Sequence, residues 1–188
     1  MIQLINYINS YTKLNNSELY YIENNFIYEK FNKGELLISS QRKVNYIYFL
    51  IKGLVKGFEY ENGKVIVQHL IEKNNFFTDF ESFINKQVSH ENYQAITNIE
   101  VLKISYEKFQ TLQEKSPSFQ TALNKILQES LSCKMERLQD FQKLNAKERY
   151  LKLLNSSPNL IQEVSISDLS SYLGIEPSSL SRIRKQVF

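Results

Sequence analysis

Residues 165–188 read SISDLSSYLGIEPSSLSRIRKQVF. Their punctuation is that of two short helices joined by a tight turn. Ser165 and Asp168 have the spacing of a capping box, which predicts a helix start there. Leu169, Tyr172 and Leu173 follow at helical spacing. Gly174 comes next, where a helix ends in the left-handed conformation that glycine tolerates. Pro177 suits the first position of a new helix, since its missing N–H has no partner there. On that second helix Leu180, Ile183 and Val187 share one face. Ser178, Ser179, Ser181, Arg182, Arg184 and Lys185 occupy the rest, and no acid stands between Pro177 and Phe188. This is the pattern of a helix-turn-helix whose second helix enters the DNA major groove. Short serines let the backbone approach a duplex, and the arginines can meet guanine edges or phosphates. A surface pair of helices with a solvated basic face is the plainer reading of this stretch alone.

Working back along the chain, residues 116–145 predict one long helix. Phe119, Ala122 or Leu123, Ile126, Leu127, Leu131, Met135, Leu138, Phe141 and Leu144 recur at steps of three and four. Such a stripe packs on its own domain, on the same helix of a second chain, or on both. About thirty residues reach roughly 45 Å, further than one small barrel needs, which favours a dimer helix. Ile126, Leu127, Leu131 and Leu138 are its expected contacts. After it, Lys147–Leu154 predicts a helix, with residues 155–158 as a loop.

Residues 31 to about 110 carry short β-branched or aromatic runs broken by turn signals: Leu36–Ile38, Tyr46–Ile51, Leu54–Tyr60, Val65–Ile71 and Glu100–Ile104. Asn62-Gly63 between two of them predicts a hairpin with a type I′ turn. Lys33-Gly34 and Lys52-Gly53 read as further turns. Many short strands at this spacing imply a barrel or jelly roll. The first thirty residues read as a helical lead-in, with Leu14, Leu19, Ile22 and Phe26 on one face.

The chain has 188 residues, is 42% hydrophobic and 23% charged, and carries a net charge of only +3, so a nucleic-acid footprint must be local. The single cysteine, Cys133, excludes an internal disulfide and a cysteine-rich metal site. Its plain reading is a small interfacial hydrophobe. The start shows no signal-peptide pattern, and no apolar run is long enough to span a membrane. A cytoplasmic protein without a membrane partner is expected. Neither a nucleophile–base motif, nor a glycine-rich phosphate loop, nor metal spacing among His69, His90 and Cys133 points to an enzyme.

The order of β-roll, long helix and terminal helix-turn-helix resembles the cyclic-AMP receptor / fumarate–nitrate regulator family of bacterial transcription factors. It is most like the short, ligand-undefined members of Bacteroidetes type. The likeness rests on FNKGELLISSQRKVNYIYFLIKGLVKGF (31–58), NNFFTDFESF (74–83), ITNIEVLKISYEKFQTL (96–112) and YLGIEPSSLSRIRK (172–185). It implies an α+β chain: a cyclic-nucleotide-binding-type β-roll (jelly roll) over 1–115, a dimerisation helix over 116–145, and a helix-turn-helix domain over 146–188 that lacks a full wing. Double-stranded DNA, a second copy of the chain and RNA polymerase are the implied partners. Arg182 matches a base-contacting arginine of the family. Pro177 and Ser178 replace its upstream arginine and glutamate, so the DNA sequence read should differ.

In nucleotide-binding members the pocket reads phenylalanine-glycine-glutamate-leucine, then arginine-serine or arginine-alanine some ten residues on. Here Phe77, Thr78 and Asp79 stand in the first stretch, and Ser89, His90 and Glu91 in the second. Thr78 replaces the glycine that lets backbone approach phosphate, Asp79 is a shortened acid, and no cation stands at Ser89. Burying an anion without a cationic partner costs several kcal/mol in order of magnitude. Cyclic AMP is therefore not the expected effector, no cofactor is expected, and the effector is left unnamed. The iron–sulfur branch needs more cysteines than one, and His69 hints only weakly at haem. A β-roll that binds a ligand or a protein, with a tail that no longer binds DNA, is the alternative function.

Overall fold

The computed structural model describes residues 1–187; Phe188, the end of the expected helix-turn-helix domain, lies outside them. Asn62 and Gly63 take φ of 50° and 76°, the paired positive values that a two-residue hairpin turn requires. They join β4 (Val55–Glu61) to β5 (Lys64–Ile71), and the register closes on Glu61 opposite Lys64. The remaining strands are β1 (Ile27–Phe31), β2 (Leu36–Ile38), β3 (Tyr46–Lys52), β6 (Phe76–Phe77), β7 (Asn92–Ala95) and β8 (Ile99–Ser105).

They form two antiparallel sheets, in the orders β1-β8-β3-β6 and β2-β7-β4-β5, which is the jelly-roll arrangement expected. The two sheets bury Ile47, Phe49, Leu50, Val55, Ile99, Val101, Leu102 and Ile104. Burying each such side chain stabilises the roll by roughly 1.5–3 kcal/mol. At Gly53, with φ of 88°, a Cβ would meet Asn98 O at 2.7 Å, so the β3–β4 corner admits only glycine.

The lead-in is two helices, α1 (Ile2–Asn9) and α2 (Asn16–Asn25). A capping box between Asn15 and Glu18 starts α2. Leu14 therefore precedes the helix it was expected to share with Ile22, although both are buried. Three more helices follow in the roll and after it: α3 (Phe80–Asn85), α4 (Tyr106–Lys115) and α5 (Pro117–Lys143). Ser116 caps α5 by accepting from Phe119 N, with Pro117 in the first turn.

Helices α6 (Ala146–Ser156), α7 (Pro158–Glu163), α8 (Ile166–Leu173) and α9 (Pro177–Val187) complete the chain. The loop expected over 155–158 is instead the junction of α6 and α7. Pro158 opens a helix there, as proline can in a first turn. Gly174, with φ of 64°, ends α8, and Ser165 caps it by accepting from Asp168 N. Only half of the expected capping box forms, because the Asp168 carboxylate is drawn to Lys56, 2.7 Å away. Tyr150, Leu160, Leu169, Leu173, Leu180 and Ile183 make a second core, which Leu54 and Ile96 of the β-roll join.

Candidate ligand cavity and nucleic-acid interface

A cavity of about 490 Å³ lies between the β-roll, α5 and the C-terminal helices. Phe77 and Thr78 line it, as the sequence suggests. Phe77 stacks between Tyr48 and Tyr93, and Thr78 donates to Tyr46 O at 3.0 Å. Asp79, Ser89 and His90 do not line it. Asp79 is the N-cap of α3. Its carboxylate accepts from Ser82 N at 3.1 Å, Ser89 Oγ at 2.8 Å and His90 N at 3.4 Å. Burial pushes its pKa up, but these hydrogen bonds outweigh that and hold it below its ordinary value. An acid so engaged serves the loop, not a ribose hydroxyl. His90 is exposed.

The residues that sequence reasoning underrated are Glu91, Tyr93 and His69. Tyr93 is fully buried, and its hydroxyl donates to Glu91 Oε2 at 2.6 Å. His69 Nε2 lies 3.4 Å from Glu91 Oε1, and its ring stacks on Tyr93. Burial, then the Glu91 charge, raises the Tyr93 phenol well above its usual range, so it stays protonated and donates. Burial raises the Glu91 pKa too, but hydrogen bonds from His69 and Tyr93 leave it below the ordinary value. The segment that would supply a phosphate-neutralising cation thus supplies a buried carboxylate with its own partners. The negative charge of Glu91 is of the same sign as that of a cyclic phosphate, and the Thr78 hydroxyl is committed to Tyr46 O. His69 comes beside Tyr93 only across β4, in the registers that set Gly57 between them; Gly57 makes the room, since a Cβ there would meet the His69 ring at 2.8 Å.

The second candidate surface is α9. Ser178, Arg182 and Lys185 are exposed, and Ser179 is partly so. Ser181 donates back to Pro177 O at 3.0 Å and is partly covered. Arg184 turns inward: its Nη2 donates to Ile161 O at 2.7 Å, and its Nε is buried without a partner. It therefore ties α9 to α7 instead of facing solvent beside Arg182.

On α5, Leu127, Leu131 and Leu138 are exposed, together with Met135 and Phe141. Ile126 points the other way, buried and lining the cavity. Cys133 is exposed. Helix α8 lies along β5, the edge strand of its sheet. Ser171 Oγ accepts from Val67 N at 2.9 Å and donates to Val65 O at 3.0 Å, so one hydroxyl satisfies two groups of that open edge. Helix α5 reaches the same place through Arg137, which donates to Gln68 O and Tyr172 O.

Residues 28–116 match the family model of the cyclic nucleotide-binding domain. No curated protein matches the chain in sequence. Among solved structures it is similar to FixK2 from Bradyrhizobium japonicum, with TM-score 0.74, 16% identity, and coverage of 86% of this chain and 84% of that one. The c-di-GMP responsive global regulator CLP of Xanthomonas campestris gives 0.68 at 18% identity, covering 92% and 91%. The Thermus thermophilus catabolite activator protein gives 0.59 at 16%, covering 94% and 85%. The fold that these share with the chain is a β-roll, a long helix and terminal helices. Among the described residues no helix is long and apolar enough to cross a membrane.

Proposed function

We propose that a chain with this cyclic nucleotide-binding domain and this regulator architecture is a DNA-binding transcriptional regulator that acts as a homodimer on a pseudo-palindromic site. The fold supports a regulator and not an enzyme. The observation that carries the reading is α9, a helix that starts at Pro177, presents Ser178, Arg182 and Lys185 to solvent, and has no acid among its described residues. Arg182 reads a base edge, Ser178 and Ser179 approach bases or phosphates, and Lys185 holds phosphate. Arg184 contributes by holding α9 on α7.

Dimerisation follows from the exposed stripe Leu127, Leu131, Met135, Leu138 on α5. A row of apolar side chains at steps of three and four along one helix is what a second identical helix covers. Paired α9 helices then meet successive major grooves about one helical turn apart. Cyclic AMP is not the effector, because no arginine or lysine stands at Ser89 or His90 and Glu91 beside them repels a phosphate. RNA polymerase is the further partner of such a regulator.

Affinity for a pool of random duplexes, measured against salt, tests the reading. A log–log slope of several phosphates is the expected result, because each neutralised phosphate releases counterions. A slope near zero supports the other reading, a ligand-binding β-roll whose helical tail does not bind DNA.

A further inference from the structure

The cavity is bordered by a partly buried cation that no carboxylate pairs with among the described residues. Arg137 is half-buried on α5, with its guanidinium 4.0 Å over the Tyr172 ring and 5.4 Å from that of Phe141. Its hydrogen bonds go to two neutral acceptors, Gln68 O on β5 and Tyr172 O on α8. Among the described residues no carboxylate comes within 4.0 Å of it. The acids on the cavity wall are engaged elsewhere. Glu72 accepts from Ser157 Oγ at 2.7 Å, and Glu129 accepts from Tyr11 Oη at 2.6 Å. A charge withdrawn from water without a counter-charge is costly, and the usual remedy is an anion.

We propose that the cavity binds a small monocarboxylate with an apolar body, its carboxylate on the Arg137 guanidinium. The fork of a guanidinium matches a carboxylate bidentately, and Arg137 has donors left after its two carbonyls. Phe76, Phe77, Phe80 and Leu160 line the space beside it and suit an apolar body. A volume of about 490 Å³ is ordinary for a small-molecule site. The same wall carries Glu72 and Glu129, whose charges disfavour a multiply charged phosphate and leave the single charge of a carboxylate as the fit. Ser89, His90 and Glu91 do not line this site, so it does not depend on a cation there.

The consequence for DNA rests on the regulator reading. Arg137 is a tie between β5 and α8, the first helix of the helix-turn-helix. A carboxylate competes with both carbonyls for the guanidinium, loosens that tie and changes the freedom of α8. By linkage, whatever factor the ligand imposes on DNA affinity, DNA imposes on the ligand.

Calorimetric titration of the full chain with benzoate, cinnamate and octanoate, each beside its neutral amide and beside inorganic phosphate, tests the site. The expected result is saturable binding of at least one carboxylate with Kd of about 1 mM or tighter. Its amide binds at least about tenfold more weakly, as does the carboxylate to Arg137→Gln, while Arg137→Lys keeps part of the affinity. Should Arg137→Gln not fold, the amide comparison on the wild type decides. Absence of carboxylate binding below about 10 mM, equal binding of the amide, or binding of phosphate alone overturns the proposal. Calorimetry reads the cavity without DNA, so its failure leaves the regulator standing, and failure to bind DNA leaves the calorimetric result standing.

Discussion

Arg182 and Arg184 stand on one helix and serve different ends. Arg182 is exposed, whereas Arg184 is bound to Ile161 O. Arg182→Ala should cost about 1–3 kcal/mol in DNA affinity and relax specificity at one base position, with the melting temperature unchanged. Arg184→Ala should instead lower the melting temperature, by about 2–4 °C for each kcal/mol lost, and calorimetric unfolding of both variants separates the two. Glu91 has a pH signature. Its folded pKa lies below the ordinary 4.5, which means that the stability it contributes is present above the unfolded pKa and is lost as pH falls through the folded one. Asp79 behaves in the same way from an ordinary 3.8. Denaturant titrations should thus show stability falling as pH drops below about 4.5, and Glu91→Gln should flatten that limb. An unchanged limb in Glu91→Gln would remove the residue from the account. Local chemistry of this kind was partly legible: the φ of Asn62, Gly63 and Gly174 follow from their residue types, but the inward turn of Arg184 depends on α7, which no periodicity marked.

At the scale of elements, α5 separates two roles that its sequence stripe merged. Phe119, Ala122, Leu123 and Ile126 are buried in the protomer, and the stripe from Leu127 onward faces out. The pair Leu131→Glu and Leu138→Glu should give a monomer by light scattering with a melting transition close to that of any isolated protomer, since neither side chain is in a core. A dimer that survives both changes would contradict the α5 interface. Gly174 is the second pressure point. It needs positive φ, and a Cβ there would stand 2.7 Å from the Phe141 ring. Gly174→Ala should therefore destabilise the chain by about 1 kcal/mol or more, read as a lowered denaturant midpoint. The strands with clear turns were legible. Strands β1, β6 and β7 were not, because runs of two to five residues in a jelly roll are defined by pairing partners far along the chain, as Phe76 and Phe77 are by Phe49 and Tyr48.

For the molecule as a whole, the helical unit is not hung free on α5 but leans on the edge of the β-roll. Ser171, the Lys56–Asp168 pair and Arg137 all tie α8 or its carbonyls to β4 and β5. Ser171→Ala leaves Val67 N–H and Val65 O without their side-chain partner, so hydrogen exchange at Val67 should quicken while amides of β3 and β8 stay protected. No sequence pattern announced this docking. Asp168 reads as a capping-box acid and Ser171 as a plain helix residue until β4 and β5 are placed beside α8, and the Glu91 cluster emerges only when β4, β5 and β7 are side by side. On this frame α9 is proposed to read DNA as one half of a pair. Selection of bound duplexes from a random pool, run in parallel with wild type and Arg182→Ala, tests it most directly. The expected outcome is an inverted repeat, its half-sites about one helical turn apart, enriched by the wild type and lost or blurred with Arg182→Ala. Failure of the wild type to enrich any sequence, or the same motif enriched equally by Arg182→Ala, would contradict it.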